Sequence, residues 1–317
     1  MSLSPILRGL ATYVPGLSRF SLSQTGGSDS ARYCYSVWLR HLSWAQRAGL
    51  PLPPTTVAEL GPGDSIGVGL AALLSGAERY YAFDRLPYAR DPRRNLAILE
   101  QLIALFQQRS PIPDEHEFPK AKPTPPSYVF PSSCLTEAHL AAALAPARLD
   151  AIRRAVFNPD AGGAAGIAVC YYAPWSAADG QAAGSVDALV SQAVLEHVDA
   201  LDETYAAFAA WLKPGGWMSH QIDFKSHGTA TEWNGHWRYS DAIWRLVRGR
   251  RAWLINRAPY STHLTLLAQH HFRLVYAQPF TLPNTLRREQ LSERFRTLPE
   301  SDLTTAGAFI LAVKESE

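Results

Sequence analysis

The sequence predicts an α/β fold built on a doubly wound, mostly parallel sheet. Short apolar runs alternate with segments of helical periodicity along the chain. A glycine-rich loop, "GPGDSIG", follows the first of those runs, and the residues best suited to bind a ligand gather at the C-terminal ends of the runs, where such sheets hold their ligands.

The elements follow in order. The opening "SLSPILRGLATYVPGLSRF" is mildly amphipathic and reads as a helix or arm packed on the body, because it lacks the basic face of a membrane anchor. "ARYCYSVWLRHLSWAQRAG" spaces Tyr33, Val37, Leu39 (or Trp38), Leu42 and Trp44 at roughly helical intervals and ends near Gly49. Residues 1–50 are therefore expected to form an N-terminal helical cap, and residues 51–317 the main domain. "TVAEL" and "RYYAFD" read as the first two strands, with "SIGVGLAALLSGA" as the helix between them. "RNLAILEQLIALFQQR" is an amphipathic helix with Leu96, Leu99, Ile103 and Phe106 on one stripe.

Periodicity lapses in the proline-rich stretch that follows and resumes as a helix in "LTEAHLAAALAPARLDAIRRAVF". Residues from about 107 to 163 thus read as an insertion, part helical and part irregular. "GIAVCYY" and "VDALVSQ" are the next strands. "LDETYAAFAAWL" is a helix stopped by "KPGG", and "WMSHQIDF" is the fifth strand. After a second excursion at about 225–263, "FRLVYAQPF" and "GAFILAVK" supply two C-terminal strands.

Composition narrows the partners. The chain has 317 residues, 47% of them hydrophobic, and a formal net charge of +2, which argues against a general nucleic-acid binder. Cys34, Cys134 and Cys170 lie far apart and form no CxxC pair, as expected of reduced thiols in the cytoplasm. No apolar run approaches the roughly 18 residues of a membrane span, and no signal-peptide pattern opens the chain.

The glycine loop selects among ligands. Gly61 and Gly63 fit the start of a dinucleotide loop, but position 66 is Ile, and no lysine is present to make a phosphate loop. Glu59 and Asp64 flank the glycines instead, and two carboxylates would repel a pyrophosphate while suiting a cation. Asp84 ends the second strand, where a carboxylate can accept hydrogen bonds from both ribose hydroxyls. A positively charged ribonucleoside is implied, and S-adenosylmethionine fits.

"VAELGPGDSIG", "YYAFD", "VDALVSQAVLEHV" and "WLKPGGWMSHQIDF" resemble successive motifs of the class I S-adenosylmethionine-dependent methyltransferases, in order and spacing, over about residues 55–224. The chain also resembles bacterial methyltransferase-domain proteins that carry a "YCYSVWLRHL" helix and a "WNGHWRYSD" segment. The resemblance implies a Rossmann-like sheet of seven strands, with S-adenosylmethionine as cofactor and S-adenosylhomocysteine as product. It also implies that Gly61 and Gly63 approach the methionine part, with Asp64 and Ser65 in the same loop and Glu59 near the ammonium. Asp84 would hold the ribose and Arg85 flank the adenine, while Tyr172 and Ala173 reach the adenine edge. "CYYAPW" departs from the family's commoner pattern, in which an acid caps the third strand. Ser191, Gln192 and Ala193 would lie under the sulfonium.

Methyl transfer from sulfonium is an in-line displacement, so a base is needed only where the acceptor must lose a proton. Candidates are Asp223 first, then His220, His227, His236 and, in "LEHV", His197. Strand alternation sets Gln221 and Asp223 on one face and His220 on the other. The acid-rich ligand set of metal-dependent acceptor sites is not evident, so no metal is expected. Tyr33, Gln221, Trp233, Asn234, Trp237 and Arg238 are candidate acceptor contacts. Trp244 and Trp253 lie nearby, as do Arg245, Arg248, Arg250 and Arg251, which would suit an anionic acceptor.

The expected activity is methyl transfer to a small molecule, on oxygen of a sugar, nucleotide sugar or related metabolite, with a homodimer left open. Methylation of RNA or protein and a non-catalytic partner subunit are the alternatives. "SQAV" stands where enzymes that methylate a planar nitrogen carry Asn/Asp-Pro-Pro-aromatic, which weighs against nucleic acid. A dinucleotide oxidoreductase is more distant still.

Overall fold

In a computed structural model, residues 4–14, 27–158, 166–176, 183–251 and 254–315 are described. Seven strands make one sheet: β1 (Thr56–Leu60), β2 (Arg79–Phe83), β3 (Ala168–Tyr172), β4 (Val186–Gln192), β5 (Leu212–Asp223), β6 (Phe272–Thr281) and β7 (Thr305–Lys314). Their order is β3-β2-β1-β4-β5-β7-β6. The first five pair in parallel and β7 is antiparallel to both its neighbours. The doubly wound seven-stranded fold is the one the sequence predicts.

Alternation along the strands divides the core in two. Val57, Tyr80, Ala82, Ala188 and Val190 face α2 (Ala31–Arg47), α3 (Gly67–Leu74), α4 (Pro92–Gln107) and α6 (Pro146–Phe157). Ala58, Leu60, Tyr81, Phe83 and Leu189 face α7 (Leu201–Trp211) and α9 (Tyr260–Gln269). On α4, Leu99, Ile103 and Phe106 are buried as the stripe predicts. Leu96 is only half-buried, and Ile98 and Leu102 complete the inner face.

Helix α2 starts at Ser30, whose hydroxyl accepts from the amide of Tyr33, and it is buried on nearly every side. The 108–136 part of the insertion wraps it: Arg40, with no exposed surface, donates to the carbonyls of Pro113 and Pro123 at 2.7 Å each, and Trp44 Nε1 donates to Thr124. Two expectations are corrected. The single helix expected in the insertion is two, α5 (Glu137–Ala143) and α6, because Pro146 lacks an amide hydrogen to continue the first and instead opens the second. "KPGG" does not precede the fifth strand but lies within it, as an irregular step in its register with β4 that Gly215 turns at φ +76°.

The remaining helices are α1 (Ser4–Ala11), α8 (Asp241–Arg248), against which α1 packs, and α10 (Glu300–Thr304). Among the described residues no helix is long and apolar enough to cross a membrane.

Candidate active site

One cleft of about 1360 Å³ runs along the C-terminal ends of β1, β2, β4 and β5. Its floor at β1 is the glycine loop. Gly61 (φ +71°) and Gly63 (φ +75°) take left-handed backbone that other residues rarely adopt, and the Gly61 amide donates to the Phe83 carbonyl at 2.7 Å. A Cβ on Gly61 would come within 2.5 Å of Val194, so only glycine lets the loop lie this close to the end of β4.

Glu59 reaches the cleft from the next-to-last position of β1, almost wholly buried, and its Oε2 accepts from the Tyr80 hydroxyl at 2.5 Å. Burial pushes this carboxyl up to about 8, against the lowering effect of Tyr80. Asp84, just beyond β2, is held from behind: Oδ1 accepts from the amides of Arg85 (2.6 Å) and Leu86 (3.4 Å), and Oδ2 from that of Gly63 (3.3 Å). Burial raises its pKa and these amides oppose the rise. Glycine loop and ribose candidate are thus joined by one hydrogen bond.

Around Asp84 the cleft is walled by Phe83, Arg85, Leu86, Tyr88, Pro174, Trp175 and Ser176. Tyr172 and Ala173 are not on that wall. Tyr172 stacks on Phe83 in the core, 5.3 Å between ring centroids, and the Ala173 carbonyl accepts from Arg90. The pairing of β2 with β3 runs on past the strand ends here, with Asp84 N donating to Tyr172 O and Trp175 N to Asp84 O, and the wall is made by the residues from Pro174 onward. Asp64, half-buried, and Ser65, buried, do not line the cleft either. The Asp64 amide donates to Ser28 Oγ at 2.8 Å, and the buried Ser65 hydroxyl donates to the Ser28 carbonyl, leaving Ser28 itself on the cleft.

At the other end, Gln192, Ala193 (φ +54°), His197, Gln221, Asp223, Lys225 and His227 line the cleft, with Tyr33 and Lys122 across from the strands. Ser191 is buried and shares a 2.7 Å hydrogen bond with His220 Nδ1. His220 has no exposed surface, stacks on Phe208 at 5.2 Å, and is pushed down to about 3 by burial; it is a neutral core side chain and is corrected as a base candidate. His236 is likewise buried and held at about 3 by burial, with Arg257 adding to the effect; it borders a water-sized cavity with Glu196 rather than the cleft.

Asp223 does reach the cleft. Burial alone would raise its carboxyl, but His227, the Lys225 ammonium (2.8 Å) and the Lys225 amide (2.8 Å) outweigh it and hold the group at about 2. His227 Nε2 lies 3.5 Å from Asp223 Oδ2, and the His227 ring meets that of His197 edge-on at 5.2 Å.

The aromatic segment expected to line the acceptor pocket forms a small core of its own. Trp237 is fully buried against Leu286, Leu291 and Phe295 and donates to Arg257 O, while Trp233 donates to Pro283 O. Asn234 is consumed by Asn284 and Leu303, and Arg238 pairs with Glu232 at 2.9 Å. Each tryptophan N–H finds a distant carbonyl, which the sequence spacing cannot reveal. Arg248 pairs with Asp199, Trp244 is buried beneath Arg257, and Arg245, Arg250 and Arg251 are also off the cleft. Trp253 falls outside the described residues. Among the described residues, no group of three or more His, Cys, Asp or Glu side chains is placed to hold a metal ion.

Residues 40–275 match the methyltransferase domain family. The chain belongs to that family. The fold is the class I S-adenosylmethionine-dependent methyltransferase fold, as the strand order already indicates. No curated protein matches this methyltransferase-domain chain. Among solved structures it is similar to an S-adenosylmethionine-dependent methyltransferase from Mesorhizobium loti (13% identity, 85% of this chain and 96% of that one, TM-score 0.40). It is also similar to phosphoethanolamine N-methyltransferase 2 from Haemonchus contortus in complex with S-adenosylmethionine (14% identity, 95% and 59%, TM-score 0.44). A third similar structure is an S-adenosylmethionine-dependent methyltransferase from Methanosarcina mazei (12%, 84% and 95%, TM-score 0.43).

Proposed function

We propose that this methyltransferase-domain protein binds S-adenosylmethionine at the β1–β2–β4 end of the cleft and methylates an oxygen of a small-molecule acceptor at the β5 end. Hydroxylated metabolites such as sugars and nucleotide sugars are the acceptor class. One observation carries the reading: Glu59, the Gly61–Gly63 loop, Asp84 and the Asp223–His227 pair all open onto a single cleft.

The residues fit the cofactor. Glu59 and Asp84 offer carboxylates to a ligand with a cationic end and a ribose, and glycine at position 61 lets the loop between them pack against Val194 at the end of β4. Bound S-adenosylmethionine supplies a methyl group activated on sulfonium. The chain's part is alignment, exclusion of water and removal of the acceptor's proton.

Asp223, ionised and pinned by Lys225, faces Nε2 of His227. With a proton on Nε2 directed at Asp223, Nδ1 of His227 is left with the lone pair to take the acceptor's hydroxyl proton. Asp223, ranked first as the base from sequence, becomes on this reading the group that orients His227.

Titration calorimetry with S-adenosylmethionine, S-adenosylhomocysteine and NADH is the test. Micromolar binding of both adenosyl ligands and none of NADH is the expected result. Folded protein that binds neither adenosyl ligand defeats the proposal.

A further inference from the structure

The cleft carries charges of both signs along its length. Glu59, Asp84 and Arg85 stand at its β1–β2 end, Asp199 and Glu203 beyond β4, and Asp223, paired with Lys225, at the β5 end, where the insertion adds Lys120 and Lys122. Lys122 is half-buried, its Nζ stands 5.8 Å from the centroid of the Phe280 ring, and among the described residues it makes no ion pair with a carboxylate. A cation partly removed from water beside an aromatic face, with no anion of its own, is an incomplete pair.

Its position is built. The Lys122 carbonyl accepts from Gln192 Nε2 at 3.0 Å, at the end of β4, and the next carbonyl, that of Pro123, accepts from the buried Arg40. Phe280 in turn is placed by the sheet. Asp223 on β5 and Phe280 on β6 both pair with Gly307 of β7, so the three residues form one row across the strands. Two strand spacings separate Asp223 from Phe280, about 10 Å between their backbones. A Cβ on Gly307 would stand 2.9 Å from the Ile222 carbonyl oxygen and 3.5 Å from Cδ2 of Phe280, so the glycine lets this row pack closely, and Gln221 and Thr281 add polar groups to the same wall.

We propose that the methyl acceptor carries an anionic group, a carboxylate or a phosphate, and that Lys122 binds it across this row from the Asp223–His227 pair. The inference rests on the methyltransferase reading and deepens it, naming the charge of the acceptor and the residue that selects it. The arginines of the 245–251 segment, which lie off the cleft, do not serve here.

The test is calorimetry with compounds matched except in charge: phenol against 4-hydroxybenzoate for the carboxylate, glucose against glucose 6-phosphate for the phosphate. Each pair is titrated into wild-type protein, Lys122→Gln and Lys122→Arg, with and without S-adenosylhomocysteine. The anionic member of at least one pair should bind about tenfold or more tighter than its neutral partner, the scale of a charge-assisted hydrogen bond. Which pair responds identifies carboxylate or phosphate. Lys122→Gln should erase the preference, Lys122→Arg should keep it, and neither should change affinity for S-adenosylhomocysteine.

Equal binding within both pairs, no binding by any anionic compound, or a preference that survives Lys122→Gln overturns the proposal. A Lys122→Gln variant of unchanged melting temperature that loses S-adenosylhomocysteine affinity also overturns it, because the lysine would then serve the cofactor's carboxylate. Wild-type protein that binds no S-adenosylhomocysteine defeats the methyltransferase reading instead, and the titrations without it still judge Lys122.

Discussion

Tyr80 on β2 donates its hydroxyl hydrogen to Oε2 of Glu59 on β1 at 2.5 Å, on the face of the sheet covered by α3. This bond gives a buried carboxyl a partner without giving it a charge, and burial still carries Glu59 up to about 8. At pH 7 the group is mostly protonated, while a cationic ligand favours the ionised form. Binding of S-adenosylmethionine should therefore release a proton and strengthen as pH rises from 6 to 8, by at most about tenfold per unit. Calorimetry in buffers of different ionisation enthalpy measures the proton directly. Stability should run the other way: the folded state holds its proton more tightly than the unfolded chain, so Glu59's contribution is full below about 4.5 and is lost as pH approaches 8. Glu59→Gln should flatten both dependences, and flat wild-type affinity between pH 6 and 8 would refute the role of Glu59.

Asp84 carries the ribose assignment. Its three amide donors fix the carboxylate before any ligand arrives, so its loss costs both a partner and a preset geometry. Asp84→Ala should weaken S-adenosylhomocysteine binding by about 1–3 kcal/mol, read by calorimetry on protein shown by circular dichroism to be folded. Undiminished affinity would remove Asp84 from the ribose.

How far the sequence reached follows from how local each feature is. The Glu59–Gly63 loop and Asp84 are legible because strand, turn and acid are contiguous, and a parallel sheet brings successive strand ends together. Asp223 and Gln221 are legible from strand alternation alone. Tyr172 and Ala173 mislead because the backbone stays paired beside β2 as far as Trp175, and the cleft is met only from Pro174 onward. Trp233, Asn234 and Trp237 look like pocket lining, yet their partners are Pro283, Asn284 and Arg257, contacts fixed only by the tertiary path. Lys122 is illegible for the same reason, since Gln192 lies 70 residues away.

Gly69 tests the packing beneath Glu59. A Cβ there would stand 2.1 Å from Cζ of Tyr80, an aromatic ring with no room to retreat. Alanine favours the helix by about 1 kcal/mol over glycine, but overpacking a filled core typically costs about 1–3 kcal/mol. Because the clash is with a rigid ring, the second effect should win. Gly69→Ala should lower the urea midpoint, and by displacing the Tyr80 hydroxyl it should move the pH dependence of cofactor binding upward. A midpoint at or above the wild-type value would show that the ring can yield.

The Asp223–His227 pair separates binding from chemistry. Neither residue belongs to the glycine loop or to Asp84, so His227→Gln and Asp223→Asn should leave S-adenosylhomocysteine affinity within a factor of about two of wild type. His227→Gln should lower kcat by about 10²–10⁴, the range for a lost general base, measured as transfer of tritiated methyl to the best acceptor of the charge-matched pairs. Because Asp223 is held at about 2, it stays ionised wherever the protein is active, so any loss of rate on acidification above pH 4 must arise from another group. Asp223→Asn keeps the shape but removes the anion facing Nε2, and it should lower kcat less than His227→Gln while leaving KM near its wild-type value. Full kcat in His227→Gln would mean that the acceptor reaches the cleft already deprotonated, and the task left to the chain would then be alignment alone.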